Sequence, residues 1–381
     1  MAAPAIVEQR GDVALATTRL LWEACRPVPR PECVCAVVDA GADVALAAHL
    51  ALPQHAGPLL WRALAAADRL VALGAARSPL HTEYEVRRAQ AALLLPVALA
   101  TAIEPLTTAG LEPLVLKGPT VAARYPEPGL RPMDDLDLLL PTEQHDAGIA
   151  ALTGAGWTVW RGDARHDYDT VLQHPLVPDF PLELHHELES RHERADRLTA
   201  RDLWRRRTPR RLFGIAAFGL DVEDEIVALA SHAAKPFHHF QRLIWSVDIA
   251  VVVAAAGSTI DWARVATRAR AARCATAVAV MLRHARRLGA AVPADLVELS
   301  GGRLRRAALA PVLDVTWPLV SADVGLGHRL RYAVPDSRLR RARLVLGEVA
   351  AEGSRRVPRR SVRLLGQLVR RAGPLRRLAP S

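Results

Sequence analysis

Asp135 and Asp137, in the run Asp134-Asp-Leu-Asp-Leu-Leu-Leu, are the residues of this 381-residue chain whose types and spacing most directly imply chemistry. On a β-strand, positions two apart project to one face, so both carboxylates aim at one point. Such a pair repels unless it is protonated or bridged by cations, and its hard oxygens suit Mg²⁺, or Mn²⁺ in its place. A two-metal phosphoryl site wants a third carboxylate. Glu183, set between apolar neighbours in Leu182-Glu-Leu, is the candidate. Asp134 is the register alternative to Asp135, although it has no acidic partner two residues on.

The cations are as selective as the acids. Lys117 and Lys235 are the only lysines among 50 basic residues, and an ammonium on a flexible stem serves different sites from a planar guanidinium. Lys117-Gly118-Pro119 follows a short apolar run. There Gly118 lets the backbone approach a ligand, and a helix start offers free amides to an anion. Lys117 would place positive charge beside a triphosphate, with Arg131, Lys235 and Arg242 as further phosphate contacts. Lys235 has a second reading, as a cation stabilising a helix C-terminus. The adjacent histidine pairs His185/His186 and His238/His239 lack the i, i+4 spacing of a zinc-binding helix. His185 or His232 is expected to orient a carboxylate or a phosphate, and Asp248 to pair with Arg242 or His232 or to cap the local polar face. Strand, glycine turn, helix, Asp-x-Asp strand and a single later acid form an arrangement for nucleotidyl transfer.

These side chains need a sheet to hold them. Between residues 111 and 190, five short runs read as strands: Pro113–Lys117, Asp135–Leu140, Trp157–Trp160, Tyr168–Gln173 and Pro181–His186. One helix starts after Gly118 with Pro119 at its first position. Another starts at Thr142 and stops near Gly154. Before this segment, apolar spacings of three and four from Leu59 to Leu93 indicate packed amphipathic helices. Prolines 27, 29 and 31 mark an extended break, and Ser78-Pro-Leu-His-Thr reads as a loop. After residue 190 the pattern is helical, with segments at 223–234, 240–255 and 261–288. The fold class is α+β, a small mixed sheet flanked by helical regions. It is divided as an N-terminal helical region (1–110), an α/β core (111–205), a C-terminal helical domain (206–328) and an Arg-rich tail (329–381).

Composition excludes several classes. The longest apolar runs, around Ala91–Ile103 and Ile249–Ala256, fall short of the ~20 residues that cross a bilayer. No leader pattern is present near Met1. Four cysteines without paired CxxC spacing are too few for a disulfide framework, so a reduced, cytoplasmic protein is expected. The formal charge of +10 is local. Residues 329–381 hold 15 arginines against three acids, a net of +12, so the first 328 residues sum to −2. Such a tail suits nucleic acid or an anionic surface, but it has no aromatic residue beyond Tyr332 to stack on bases.

The combination Leu116-Lys-Gly, Tyr125-Pro, Leu130-Arg-Pro-Met-Asp-Asp-Leu-Asp-Leu-Leu-Leu-Pro, Leu182-Glu-Leu-His and the later segment Ser231–Ala250 resembles a bacterial nucleotidyltransferase family of the DNA polymerase beta-like superfamily. The resemblance covers roughly residues 85–255. It implies a polymerase beta-like core, Asp135 and Asp137 as metal ligands, Glu183 as the third acid and Gly118 at the nucleotide-phosphate turn. The implied reaction is Mg²⁺-dependent transfer of an NMP group from a nucleoside triphosphate such as ATP to an acceptor, with release of pyrophosphate. A tRNA, a protein, a peptide or a small molecule would fit as acceptor. One departure stands out: the wider superfamily has serine after the turn glycine, and Pro119 brings neither hydroxyl nor amide hydrogen. The alternative is a degenerate fold serving as an RNA- or membrane-surface-binding protein, or a scaffold, through its Arg-rich tail.

Overall fold

The computed structural model describes residues 3–160, 168–188, 199–235, 238–298, 303–315, 317–320, 334 and 336. The Arg-rich tail lies outside the described residues except at Val334 and Asp336, and Pro236 also lies outside them.

The N-terminal third is helical, as its periodicity predicts: α1 (Ala3–Ala24), α2 (Pro31–Asp39), α3 (Val44–Ala51), α4 (Gly57–Ala66), α5 (Arg77–Ala89) and α6 (Leu95–Thr108). Pro31 opens α2, and the Asp43 carboxylate caps α3 by accepting from the Leu46 amide. The expected loop at Ser78-Pro is instead the first turn of α5. Proline is tolerated there because the first-turn amides have no intrahelical partner. Short non-α turns join α5 to its neighbours, and Leu70–Thr108 is a 39-residue helical run long and apolar enough to cross a membrane by length and composition. The apolar segment read from sequence is shorter because it stops at the charged residues of α5. Leu95, Ala98, Leu99, Ala102, Ile103 and Leu106 bury one face of α6 in the core.

The remaining elements are β1 (Leu114–Val115), α7 (Gly118–Ala122), β2 (Leu136–Leu139), α8 (His145–Gly154), β3 (Thr158–Val159), β4 (Asp169–Gln173), β5 (Leu182–His185), α9 (Ala200–Arg205), β6 (Thr208–Leu212), β7 (Ile215–Gly219), α10 (Val222–Ala233), α11 (Leu243–Ala256), α12 (Trp262–Ala271), α13 (Ala275–Arg287), α14 (Arg303–Leu313) and α15 (Trp317–Val320). All five expected strands form. The sheet has seven, in the order β3-β4-β5-β2-β1-β7-β6, with β2 parallel to β5 and antiparallel to β1, and β1 parallel to β7. The helical reading after residue 190 is therefore corrected at 208–219. There a hairpin turns at Phe213-Gly214, both at positive φ as a two-residue hairpin loop requires. Because β7 bonds to β1, the sheet runs past the expected core limit at 205 to Gly219. The single helix expected over 261–288 is two, broken where Arg273 takes φ 58°.

The central strand β2 is buried along its whole length, which requires cover on both faces. Val115, Leu136, Leu138, Leu182 and Leu184 pack with α6 and α8 on one face. Leu114, Leu116 and Leu139 turn the other way, into a second core with α10, α11 and the N-terminal helices. Strand alternation then sends Asp137, Glu183 and His185 to that second face, toward α10.

Candidate active site

Register builds the centre. In the parallel pair β2/β5, Asp137 is opposite Glu183 and Leu139 opposite His185. Two like charges opposite each other on one face are destabilising unless compensated, and two side chains compensate here. Lys117 Nζ lies 2.8 Å from Asp137 Oδ1. His185 Nε2 lies 2.9 Å from the same oxygen and 3.3 Å from Glu183 Oε2. An ionised carboxylate only accepts, so Nε2 carries its hydrogen and donates to Asp137, with Glu183 close by as a charge partner. Its ring is stacked on Tyr168, with centroids 6.0 Å apart.

The charges follow from these contacts. Burial works against Asp137, yet the ammonium of Lys117 and the imidazole of His185 hold its carboxyl well below the usual carboxylate range. Burial also opposes the His185 cation, but its bonds to Asp137 and Glu183 win and push it up to about 9. Lys117 is raised in the same way, against burial, by Asp137, Asp135 and Glu183. Asp135 lies just before β2 rather than within it, and is half-buried. Burial and the negative charge of Asp137 push it up to about 6.

Ligand atoms of Asp137, Glu183 and His185 lie within 4.8 Å of one another. With His185 Nε2 donating to Asp137, the two carboxylates are the members of the cluster that could offer oxygens of the kind hard divalent cations take.

The adjoining turn is unusual. Lys117 adopts φ 42° and ψ −119°, a region that favours glycine. Gly118 follows under tight cover, since a Cβ there would sit 3.2 Å from Met133 Sδ. The five-residue α7 begins with Gly118-Pro119. It is too short to offer the helix N-terminal anion site expected from sequence, which leaves charge at this turn to Lys117. The helix is pinned from behind: the Thr120 hydroxyl donates to the Lys117 carbonyl (2.7 Å), and buried Glu225 of α10 receives Arg124.

The two lysines of the chain meet at one cavity, lined by Lys117, Lys235, His185, Leu188, Ser231 and His232 among others. Lys235 follows the end of α10, donates from Nζ to the Leu188 carbonyl (2.7 Å) and faces the Tyr168 ring at 5.6 Å. Burial, then the nearby charges of Lys117, His238 and Lys235, keep His232 neutral far below its ordinary pKa. It belongs to a ring cluster with His238 (4.5 Å) and Trp245 (5.5 Å).

Other expected contacts are corrected. Arg131 does not present a free guanidinium to phosphate. It forms a buried two-bond ion pair with Asp248 of α11, Nε to Oδ1 at 3.0 Å and Nη2 to Oδ2 at 2.9 Å. Asp248 therefore pairs with Arg131, and with the Tyr125 hydroxyl at 2.9 Å, rather than with Arg242 or His232. Exposed Arg242 precedes α11 with its guanidinium 5.7 Å from the Trp245 ring centre, outside the cavity lining. Asp134 turns to the N-terminal helices, 3.2 Å from Arg87 Nη1 and 3.6 Å from His55 Nε2. Sequence reading passed over Arg87, Tyr125 and Tyr168 as site neighbours. Their partners lie far along the chain, and only the Tyr125-Pro pair carried any signal.

Residues 40–290 match the family model described as an uncharacterised nucleotidyltransferase. No curated protein matches the chain. Among solved structures, that of the antibiotic-resistance factor ANT(2'')-Ia aligns with 47% of this chain and 94% of its own, at 15% identity and a TM-score of 0.32. That likeness is too loose to carry an argument.

Proposed function

This chain belongs to the uncharacterised nucleotidyltransferase family, and from that premise we propose that it transfers an NMP group from a nucleoside triphosphate to an acceptor hydroxyl or phosphate, with release of pyrophosphate. The observation that carries the reading is the cluster of Asp137, Glu183 and His185, with ligand atoms within 4.8 Å of one another, beside the strained Lys117 turn.

Asp137 and Glu183, with Asp135 just before β2, would hold Mg²⁺, or Mn²⁺ in its place. That group supplies charge neutralisation for the triphosphate and for the oxyanion developing at the α-phosphorus. The chain's own residues do the rest. His185 fixes the orientation of Asp137 by donating to it and places its positive charge 3.3 Å from Glu183. Lys117 and Lys235, on the wall of one cavity, offer positive charge to the phosphates. The acceptor oxygen attacks the α-phosphorus, the bond to the bridging oxygen breaks, and pyrophosphate leaves. The acceptor proton passes to a carboxylate, with Glu183 or half-buried Asp135 in place to take it. Phosphoryl chemistry of this kind is mostly positioning and electrostatics, and the carboxylates and the two lysines would supply both.

The net +12 of residues 329–381 supports contact with an anionic acceptor or surface. Calorimetric titration of ATP, GTP, CTP and UTP with Mg²⁺ tests the donor site, alongside a pyrophosphate-release assay and the Asp135→Ala/Asp137→Ala variant. Metal-dependent binding of one nucleotide, lost in the variant, is expected. Absence of binding by all four would instead favour the non-catalytic reading, to which Pro119 at the turn already gives some weight.

A further inference from the structure

The contacts of Lys117 carry a consequence for the order in which ligands enter, resting on the reading of Asp137 and Glu183 as metal-holding carboxylates. We propose that Lys117 is an internal counter-ion that competes with the divalent cation for Asp137 and is released only when nucleotide phosphates arrive to take its charge, so that metal and nucleotide bind together rather than metal first.

The argument begins with burial. Asp137 is 1% exposed, and a buried carboxylate stays ionised only when it is paired and hydrogen-bonded. Oδ1 receives both Lys117 Nζ at 2.8 Å and His185 Nε2 at 2.9 Å. The protein thus stabilises this carboxylate with its own cation. A divalent ion brought to Asp137 meets the ammonium beside the same group, and like charges that close in a poorly solvated site cannot both be held favourably. His185 cannot yield in the same way, because it also faces Glu183 Oε2 at 3.3 Å and its ring is stacked on Tyr168. Lys117 can. Its charge is carried on a flexible four-carbon stem, and its backbone is fixed at the turn by the Thr120 hydroxyl and the strand bond from the Leu116 amide to the Asp137 carbonyl (3.0 Å). Only the tip has to move. Lys117 also lines the cavity that Lys235 lines, so a phosphate bound there would draw the ammonium away from Asp137.

Mn²⁺ titration followed by electron paramagnetic resonance of the free ion tests this on the full chain, without turnover. The samples are the parent protein, Lys117→Met and Lys117→Arg, each with and without a non-hydrolysable α,β-imido nucleoside triphosphate. Without nucleotide, Lys117→Met is expected to bind Mn²⁺ at least tenfold more tightly than the parent. Lys117→Arg keeps the charge and should stay as weak as the parent, which guards against a Met variant that fails to fold. Adding nucleotide should tighten Mn²⁺ binding in the parent at least tenfold and in Lys117→Met much less. Equal nucleotide-free affinity in the parent and Lys117→Met, or a tighter Lys117→Arg, would overturn the competition while leaving the metal site intact. Absence of Mn²⁺ binding in every sample would instead overturn the metal-holding reading, and this inference with it.

Discussion

Removing the Asp248 carboxylate tests the correction of Arg131 from phosphate ligand to internal strut. Asp248 is fully buried and accepts three hydrogen bonds, two from Arg131 and one from the Tyr125 hydroxyl. Asp248→Ala leaves a guanidinium that is 9% exposed with no counter-charge. Breaking one side of a buried ion pair costs about 3–5 kcal/mol, and the stranded tyrosine hydroxyl adds about 1 kcal/mol. The total, roughly 4–6 kcal/mol, is a large part of the 5–15 kcal/mol typical of a folded domain. An apolar double replacement, Arg131→Met/Asp248→Leu, removes both charges and keeps the volume. Such replacements of buried pairs are often near neutral, so the double variant should recover most of the loss. Urea denaturation followed by far-UV circular dichroism measures all three proteins. A single-variant loss below about 1 kcal/mol, or a double variant as unstable as Asp248→Ala, would refute the assignment of Arg131 to Asp248.

Two further outcomes follow from packing and burial. A Cβ on Gly129 would lie 2.6 Å from the Arg88 Cα and 2.9 Å from its amide nitrogen. Gly129→Ala must therefore push α5 off the loop that leads to Asp134, and a loss of about 1–3 kcal/mol in urea denaturation is expected; an unchanged midpoint would contradict that packing. His284 is fully buried, with Nδ1 2.9 Å from Ser246 Oγ and Nε2 2.6 Å from the Val312 carbonyl, and burial pushes its pKa from 6.5 down to about 4. Between those values the unfolded chain binds a proton that the folded chain refuses. Stability should therefore fall as pH drops from 6.5 to 4, by up to about 3 kcal/mol from this residue, and be unaffected by it above 6.5. His284→Gln should flatten that slope relative to the parent, and an identical pH profile in the two proteins would exclude the linkage.

Much of the centre was legible because its signals are local. Alternation along a strand places Asp137 on one face and Leu136 and Leu138 on the other, whatever the partner strand is, and the same rule orients Glu183 and His185. The strand-turn-helix at Lys117-Gly118-Pro119 was readable for the same reason: Pro119 can only open a helix there. The β6/β7 hairpin was harder, because its turn is Phe213-Gly214 rather than a strong Asn-Gly signal and β6 carries Arg210 and Arg211 where apolar alternation would announce a strand.

The sequence by itself determined which side chains could do chemistry, how they alternate along their strands, and that lysine was kept at only two places. The tertiary structure alone decided their partners. Arg131 reads as a phosphate ligand until α11 brings Asp248 against it. Asp134 reads as a rival to Asp135 until α5 brings Arg87. Lys117 and Lys235 are far apart in the chain until α10 folds over the sheet and puts both at one cavity. The physical reason is that a side chain's direction is set by its own backbone, whereas its charge state and partner are set by whatever is buried beside it. Burial is a property of packed elements, not of any one segment.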